Sequence, residues 1–358
     1  MGRATLARQL LLAREKTTAV DAVERLCGMQ AQEARPPFAG LWSRLEEFRR
    51  EHLHAPLHRR DLVRATLMRA TLHLMSARDY AAFRAALQPA LSQAMSGALR
   101  GRDQGLDLDR LVPVARELLE ERPRNFNELR GLLQERFPKV NHRALGYAVR
   151  MQLPLVMIPT DARWAFPSVA DFTPADAWLE EPLPSAAAPE PLVRRYLAAF
   201  GPATAADFQT WSGLKGAKGA LDGMRDGLQV FRDEHGRELL DLPEAPRPDP
   251  DVPAPVRFLP EFDNLVLAYS DRTRLLADEH RPAVVTKNLR VRATFLWDGR
   301  ICGTWDVERK KSRATLHVRP FAKLPKRAAS ELPEEGESLL RFLEEDATSF
   351  DLDIALGS

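Results

Sequence analysis

The sequence predicts an α+β fold: three tandem winged-helix units followed by a small C-terminal β-barrel. Three observations carry this. A block bounded by two proline clusters reads as three short helices and a hairpin, the same pattern occurs once before it, and the chain turns to short strand-like runs after it. The clusters hold four prolines in Pro182–Pro191 and six in Pro243–Pro255. Neither suits a helix interior or a central strand, so both read as linkers. They imply four segments: 1–105, 106–181, 190–242 and 252–358.

In the N-terminal segment, Thr5–Arg14 is helical and Thr17 or Thr18 caps Ala19–Cys27. Pro36 and Pro37 start Phe38–Phe48. Residues 66–75 alternate Leu67/Arg69/Thr71/His73/Met75 against Met68/Ala70/Leu72/Leu74, which suits a strand pair or one long strand. This segment is a degenerate winged helix.

The second unit is clearer. Leu111–Glu120 is a helix, Arg122-Pro123 breaks it, and Asn125 caps Phe126–Phe137. Asn141–Arg150 is the third helix, and Leu155–Ile158 with Arg163–Phe166 should flank a Thr160-Asp161 turn. In the third unit Pro191–Phe200 stops at Gly201-Pro202, Thr204 caps Ala205–Trp211, and Leu214–Met224 follows. Leu228–Phe231 and Glu238–Leu240 then form the wing. Placing 122–133 over 201–214 aligns break, cap and second helix, an internal repeat.

Past residue 252, Val256–Leu259, Asn264–Ala268, Ala283–Thr286, Val291–Trp297, Ile301–Trp305 and Thr315–Val318 read as strands. Asp298-Gly299 is a type I′ hairpin signal. Six short strands around one core suggest a barrel, followed by an acidic helix.

Charge is segregated. From Glu331 onward one arginine faces nine carboxylates, a net −8, which leaves +10 on residues 1–330 of a chain totalling +2. A basic body suits a polyanion partner, although charge alone is better explained by a solvated surface with an acidic last helix. Cys27 and Cys302 form no CxxC pair, which excludes a disulfide framework and a zinc finger. No His-rich or carboxylate spacing suggests a metal site. No apolar run is long enough for a membrane span, and no signal-like stretch opens the chain, so a cytoplasmic protein is expected. Gly213–Gly219 matches neither phosphate-loop pattern, yet its Lys215 and Lys218 are candidate phosphate contacts. So are Arg309, Lys310, Lys311 and Arg313 on a basic hairpin tip, which an exposed soluble turn would equally explain.

Repeated winged helices in a basic body point to DNA. Four blocks then carry a resemblance: "LCGMQAQEARPPFAGLWSRL", "LMRATLHLMSARDY", "FLPEFDNLVLAYSDRTRLL" and "RATFLWDGRICGTW". Together they resemble the bacterial helix-turn-helix DNA glycosylase superfamily. Within it they are similar to the AlkZ-like branch, associated with self-resistance to DNA-alkylating natural products such as azinomycin. The resemblance runs from about Leu6 to Phe321. It implies a C-shaped arrangement around DNA and a catalytic Gln-apolar-Gln motif on Gln30 and Gln32, with the small Ala31 between. It implies a monofunctional enzyme that excises bulky or crosslinking N7-alkylated purines from double-stranded DNA. No metal or organic cofactor is expected, and a monomer suffices.

The chemistry agrees. Alkylation at N7 makes the base cationic, so it leaves without protonation while the sugar becomes oxocarbenium-like. Amide oxygens aimed at that sugar stabilise its charge and orient a water. In an extended segment, residues two apart face the same way, so Gln30 and Gln32 can address one sugar. Taken without the resemblance, both amides read as solvated loop residues, and Glu33 as a surface carboxylate or a base. Arg69, His73, Asp263 and Asn264 are candidate cleft-lining residues. A buried histidine bonded to backbone and a turn-shaping Asp-Asn pair are the plainer readings. A DNA-binding regulator or repair accessory without catalysis is the alternative function.

Overall fold

The computed structural model describes residues 2–288 and 290–355. Several helices start at side-chain caps supplied by the sequence. Thr18 accepts from the Asp21 amide, Asn125 from Asn127 and Glu128, and Asn141 from Arg143 and Ala144. Thr204 and Asp207 satisfy each other's backbone amides in a capping box.

The first sheet contains β1 (Met29–Gln30), β2 (Leu62–Thr66), β3 (Leu72–Ser76), β4 (Leu155–Met157) and β5 (Phe172–Pro174), in the order β1-β3-β2-β4-β5. β2 and β3 are a hairpin, and every residue of both is buried. β2 pairs with β4 at Ala65 and Val156, so one sheet draws on two of the expected segments. The partner of β4 differs from expectation: Met157 lies opposite Phe172, and residues 163–166 form no strand. The reason is packing, because the Trp164 ring lies 5.2 Å from Phe38 and Arg163 reaches Asp346 at 3.1 Å.

Helices Glu190–Phe200, Ala205–Ser212 and Ala217–Gly223 precede the hairpin β6 (Gln229–Arg232) and β7 (Glu238–Asp241). Leu192, Tyr196, Leu197, Phe208, Leu221 and Met224 are all buried, in a cluster that also takes in Leu6, Tyr80 and Tyr269. Val230 faces Leu240 across the hairpin.

The C-terminal part is not a closed barrel. β8 (Arg257–Leu259), β9 (Thr294–Trp297), β10 (Arg300–Lys310), β11 (Arg313–Pro320) and β12 (Ser349–Ile354) form an open sheet ordered β12-β11-β10-β9-β8. Two runs expected as strands are short helices instead. Asp263 caps Asn264–Leu267, and Pro282 sits in the first turn of Arg281–Val284. Helix Lys326–Leu343 packs on the open sheet, burying Leu332, Leu339, Leu340 and Leu343 where a barrel would have turned inward. At Gly336 an added Cβ would stand 3.0 Å from Leu316 and 3.3 Å from Leu352, so the helix lies close on β11 and β12. Asp298 and Gly299 both have positive φ, the type I′ turn expected between β9 and β10.

Candidate active site

The chain enters the site through Cys27 and Gly28, both at positive φ. A Cβ on Gly28 would stand 2.9 Å from Met75 and 3.1 Å from the Leu74 carbonyl, so glycine permits the close approach of β1 to β3. The Asn264 amide nitrogen donates to the Gly28 carbonyl at 2.7 Å, fixing this turn from the C-terminal part. Gln30 then lies opposite His73 on β3.

Gln30 is only 7% exposed, and its Oε1 accepts from Arg69 Nη2 at 2.7 Å. Arg69 also donates to the Trp211 carbonyl, and its Nη2 lies 3.5 Å from His73 Nε2. His73 Nδ1 donates to the Thr71 carbonyl at 3.0 Å, which leaves Nε2 as an acceptor. Burial, reinforced by the Arg69 guanidinium, pushes the imidazole down to about 3. His73 is therefore a neutral brace, close to the plain reading of a buried histidine bonded to backbone.

That burial has a consequence for stability. The unfolded chain binds a proton at His73 near pH 6.5, and the folded chain does not until about pH 3. As pH falls below 6.5, stability should drop by about 1.4 kcal/mol per unit from this residue, roughly 2 kcal/mol by pH 5. Urea midpoints at pH 7.5 and 5.0, compared with those of His73→Asn, measure it. An equal loss in parent and variant would show that His73 does not cause it.

Gln32 has a different setting. It is exposed, its Oε1 accepts from the Leu72 amide at 3.3 Å, and it lines an open groove of about 620 Å³. Arg64 reaches the Ala31 and Gln32 carbonyls at 2.8 and 3.0 Å and lies over the Phe166 ring. Burial lowers its guanidinium to about 10. Arg64, Arg150, Phe126 and Trp164 share the groove with Gln32. Sequence reasoning passed over Arg64 and Arg150; the available signal was an arginine inside the apolar run Leu62–Thr66. Gln30 instead lines a narrow cleft of about 10 Å³ beside Gly28, Asp263 and Asn264, with room for about one water. β1 ends at Gln30, so the two-residue alternation that would point both amides one way is not maintained.

The remaining candidates divide. Asp263 and Asn264 are buried braces: Asp263 pairs with Arg44 at 3.0 Å and caps the following helix. Lys215 and Lys218 are exposed, beside a loop whose Gly213 approaches the Arg69 backbone; a Cβ there would lie 3.4 Å from the Arg69 amide. The hairpin tip is largely neutralised. Arg309 binds Asp346, Lys310 binds Glu308 at 2.9 Å, and Arg313 binds Asp351 at 2.5 Å. Lys311 is exposed at the tip. Among the described residues no group of three or more His, Cys, Asp or Glu side chains is placed to hold a metal, and no helix is long and apolar enough to cross a membrane.

Comparison with known proteins places this chain among DNA glycosylases. Residues 23–342 match the DNA glycosylase AlkZ-like family, and the chain belongs to that family. It is 28% identical over 335 residues to the interstrand DNA cross-link repair glycosylase of Streptomyces sahachiroi, covering 88% of each protein. The fold is that of the solved Streptomyces sahachiroi DNA glycosylase AlkZ, with a TM-score of 0.82 and 22% identity. That match covers 99% of this chain and 98% of the other.

Proposed function

We propose that the protein excises bulky or crosslinking N7-alkylated purines from double-stranded DNA by hydrolysis, with water as nucleophile. Gln30 and Gln32 are the catalytic pair. The observation that carries this reading is a neutral, buried amide, Gln30, held by Arg69 two residues before Gln32, which lines an open groove. Amide oxygens stabilise a developing sugar cation without titrating, and they suffice because the cationic base is already a good leaving group. The open groove at Gln32 suits an adduct too large for a tight base pocket. Interstrand crosslinks are the proposed natural substrate, in repair or in self-resistance to a genotoxin, in line with the name of the Streptomyces sahachiroi relative.

The segments 1–105, 106–181 and 190–242 serve in this reading as three winged-helix units spaced along the duplex as a C-shaped clamp. The protein acts as a cytoplasmic monomer without organic cofactor or metal.

A labelled duplex with one N7-methylguanine tests the activity. Incubation followed by mild alkali should break the strand at the lesion, well above an enzyme-free control. Salt-sensitive binding without breaks would instead make the protein a non-catalytic DNA binder. Borohydride should trap no enzyme–DNA adduct, since water and not a lysine attacks.

A further inference from the structure

The arginine that holds Gln30 lacks a counter-ion. Arg69 sits in the tight turn between β2 and β3, where it and Ala70 both adopt positive φ. Such conformations are costly for residues with side chains, and here the cost serves to aim one guanidinium inward. Its partners are the Trp211 carbonyl, the Gln30 amide oxygen and the neutral His73 ring. Among the described residues, no carboxylate pairs with it. The guanidinium of Arg272 is near enough to oppose the charge of Arg69, and Arg281 in turn opposes Arg272. Arg272 Nε is buried without a hydrogen-bond partner, and the neighbouring Asp271 is turned away toward Thr273 and Arg237.

The buried Arg8 and Arg44 pair with Asp241 and Asp263, whereas Arg64 and Arg84 bond only neutral oxygens. Arg69 differs from Arg64 and Arg84 in having a second arginine beside it and no carboxylate to offset it. Uncompensated buried cations are expensive, so a cluster left unpaired beside an active site calls for an anionic ligand. Glycosylase chemistry sharpens the requirement. A bare cation bonded to the catalytic amide would oppose the positive charge that develops on the sugar. A phosphate seated against the same cation removes that opposition, and the substrate carries one on each side of the damaged nucleotide. The Gly213 loop approaches the Arg69 backbone, and Lys215, two residues further on, is exposed.

We infer that Arg69 and Arg272 together seat a phosphodiester flanking the damaged nucleotide, and so place its sugar against Gln30. Arg69 is in addition a positioning residue, because it bonds the Gln30 oxygen directly. This inference rests on the glycosylase reading above, and its test separates the two. Excision of N7-methylguanine from an all-phosphate duplex by the parent protein is measured first; no excision there overturns the glycosylase reading alone. Duplexes with a single neutral methylphosphonate at either flanking phosphate then read the clamp by excision rate and, independently, by filter binding.

One of the two methylphosphonates should weaken the parent protein about tenfold, the scale of one charge-assisted contact. Arg272→Gln should show about the same loss on all-phosphate DNA and no further loss with that methylphosphonate. Arg69→Lys keeps the charge but cannot span Trp211 and Gln30, so it should lower kcat while retaining the methylphosphonate sensitivity. Full parental sensitivity in Arg272→Gln, or a parent indifferent to both methylphosphonates, overturns the clamp.

Discussion

Asp263→Ala is expected to cost about 3–5 kcal/mol of folding stability, the range for stranding one member of a buried ion pair. Both side chains of the Arg44–Asp263 pair are at most 2% exposed, and their charged atoms are 3.0 Å apart. Arg44 spends its other donors on the Gln9 and Gly40 carbonyls, each at 3.0 Å. Without Asp263 it keeps those two neutral acceptors and no counter-charge. Asp263 also caps its helix by accepting from Leu265, so alanine loses a cap as well. Asp263→Asn retains the cap geometry and should cost less. Replacing both partners, Arg44→Met with Asp263→Leu, should recover much of the loss, because two buried charges are then no longer desolvated. Urea unfolding of the four proteins reads all of this. Equal midpoints for parent and Asp263→Ala would remove the pair from the account. The same substitution should slow excision, since Asn264 follows directly and holds the Gly28 carbonyl ahead of Gln30.

What was legible in the sequence was local. Asn125, Asn141 and Thr204 announce their helices because a cap acts within three residues, and Asp298-Gly299 announces its hairpin for the same reason. The apolar set of residues 190–242 also stands out, because three short helices and a wing pack on one another. What escaped depends on partners far along the chain. Residues 163–166 look able to return on β4, but Trp164 is drawn to Phe38 and Arg163 to Asp346, and β5 pairs there instead. Asn264–Ala268 has the composition of a strand, yet the Asp263 side chain, already held by Arg44, starts a helix. β12 reads as acidic tail, yet it pairs in parallel with β11, with Phe350, Leu352 and Ile354 packed on the core and Asp351 and Asp353 meeting Arg313 and His317. At the site, the positions of Gln30 and Gln32 were legible through resemblance. Their unequal burial was not, because it follows from where β1 ends and from an arginine thirty-nine residues away.

Gln30→Ala and Gln32→Ala should each lower single-turnover excision by about 10²-fold, the usual effect of losing one preorganised partner of a developing charge. Affinity for lesion DNA should hardly change, because the lost contact matters mostly as the sugar becomes cationic. The two losses should not multiply fully if both amides serve one water and one sugar. The structure adds an asymmetry between them. Gln30 is buried, and its removal takes an acceptor from Arg69, so Gln30→Ala should also destabilise the fold by about 1–3 kcal/mol. Gln32 is exposed and holds the Leu72 amide only at 3.3 Å, so Gln32→Ala should leave the urea midpoint nearly unmoved. Gln30→Glu separates orientation from charge: a carboxylate keeps the bond to Arg69 as an ion pair, preserves the geometry, and should retain part of the activity that alanine loses. If Gln30→Glu is as slow as Gln30→Ala while equally well folded, an oriented neutral amide is what the reaction requires. A double alanine variant that excises N7-methylguanine at the parental rate with its fold intact would remove both glutamines from the chemistry.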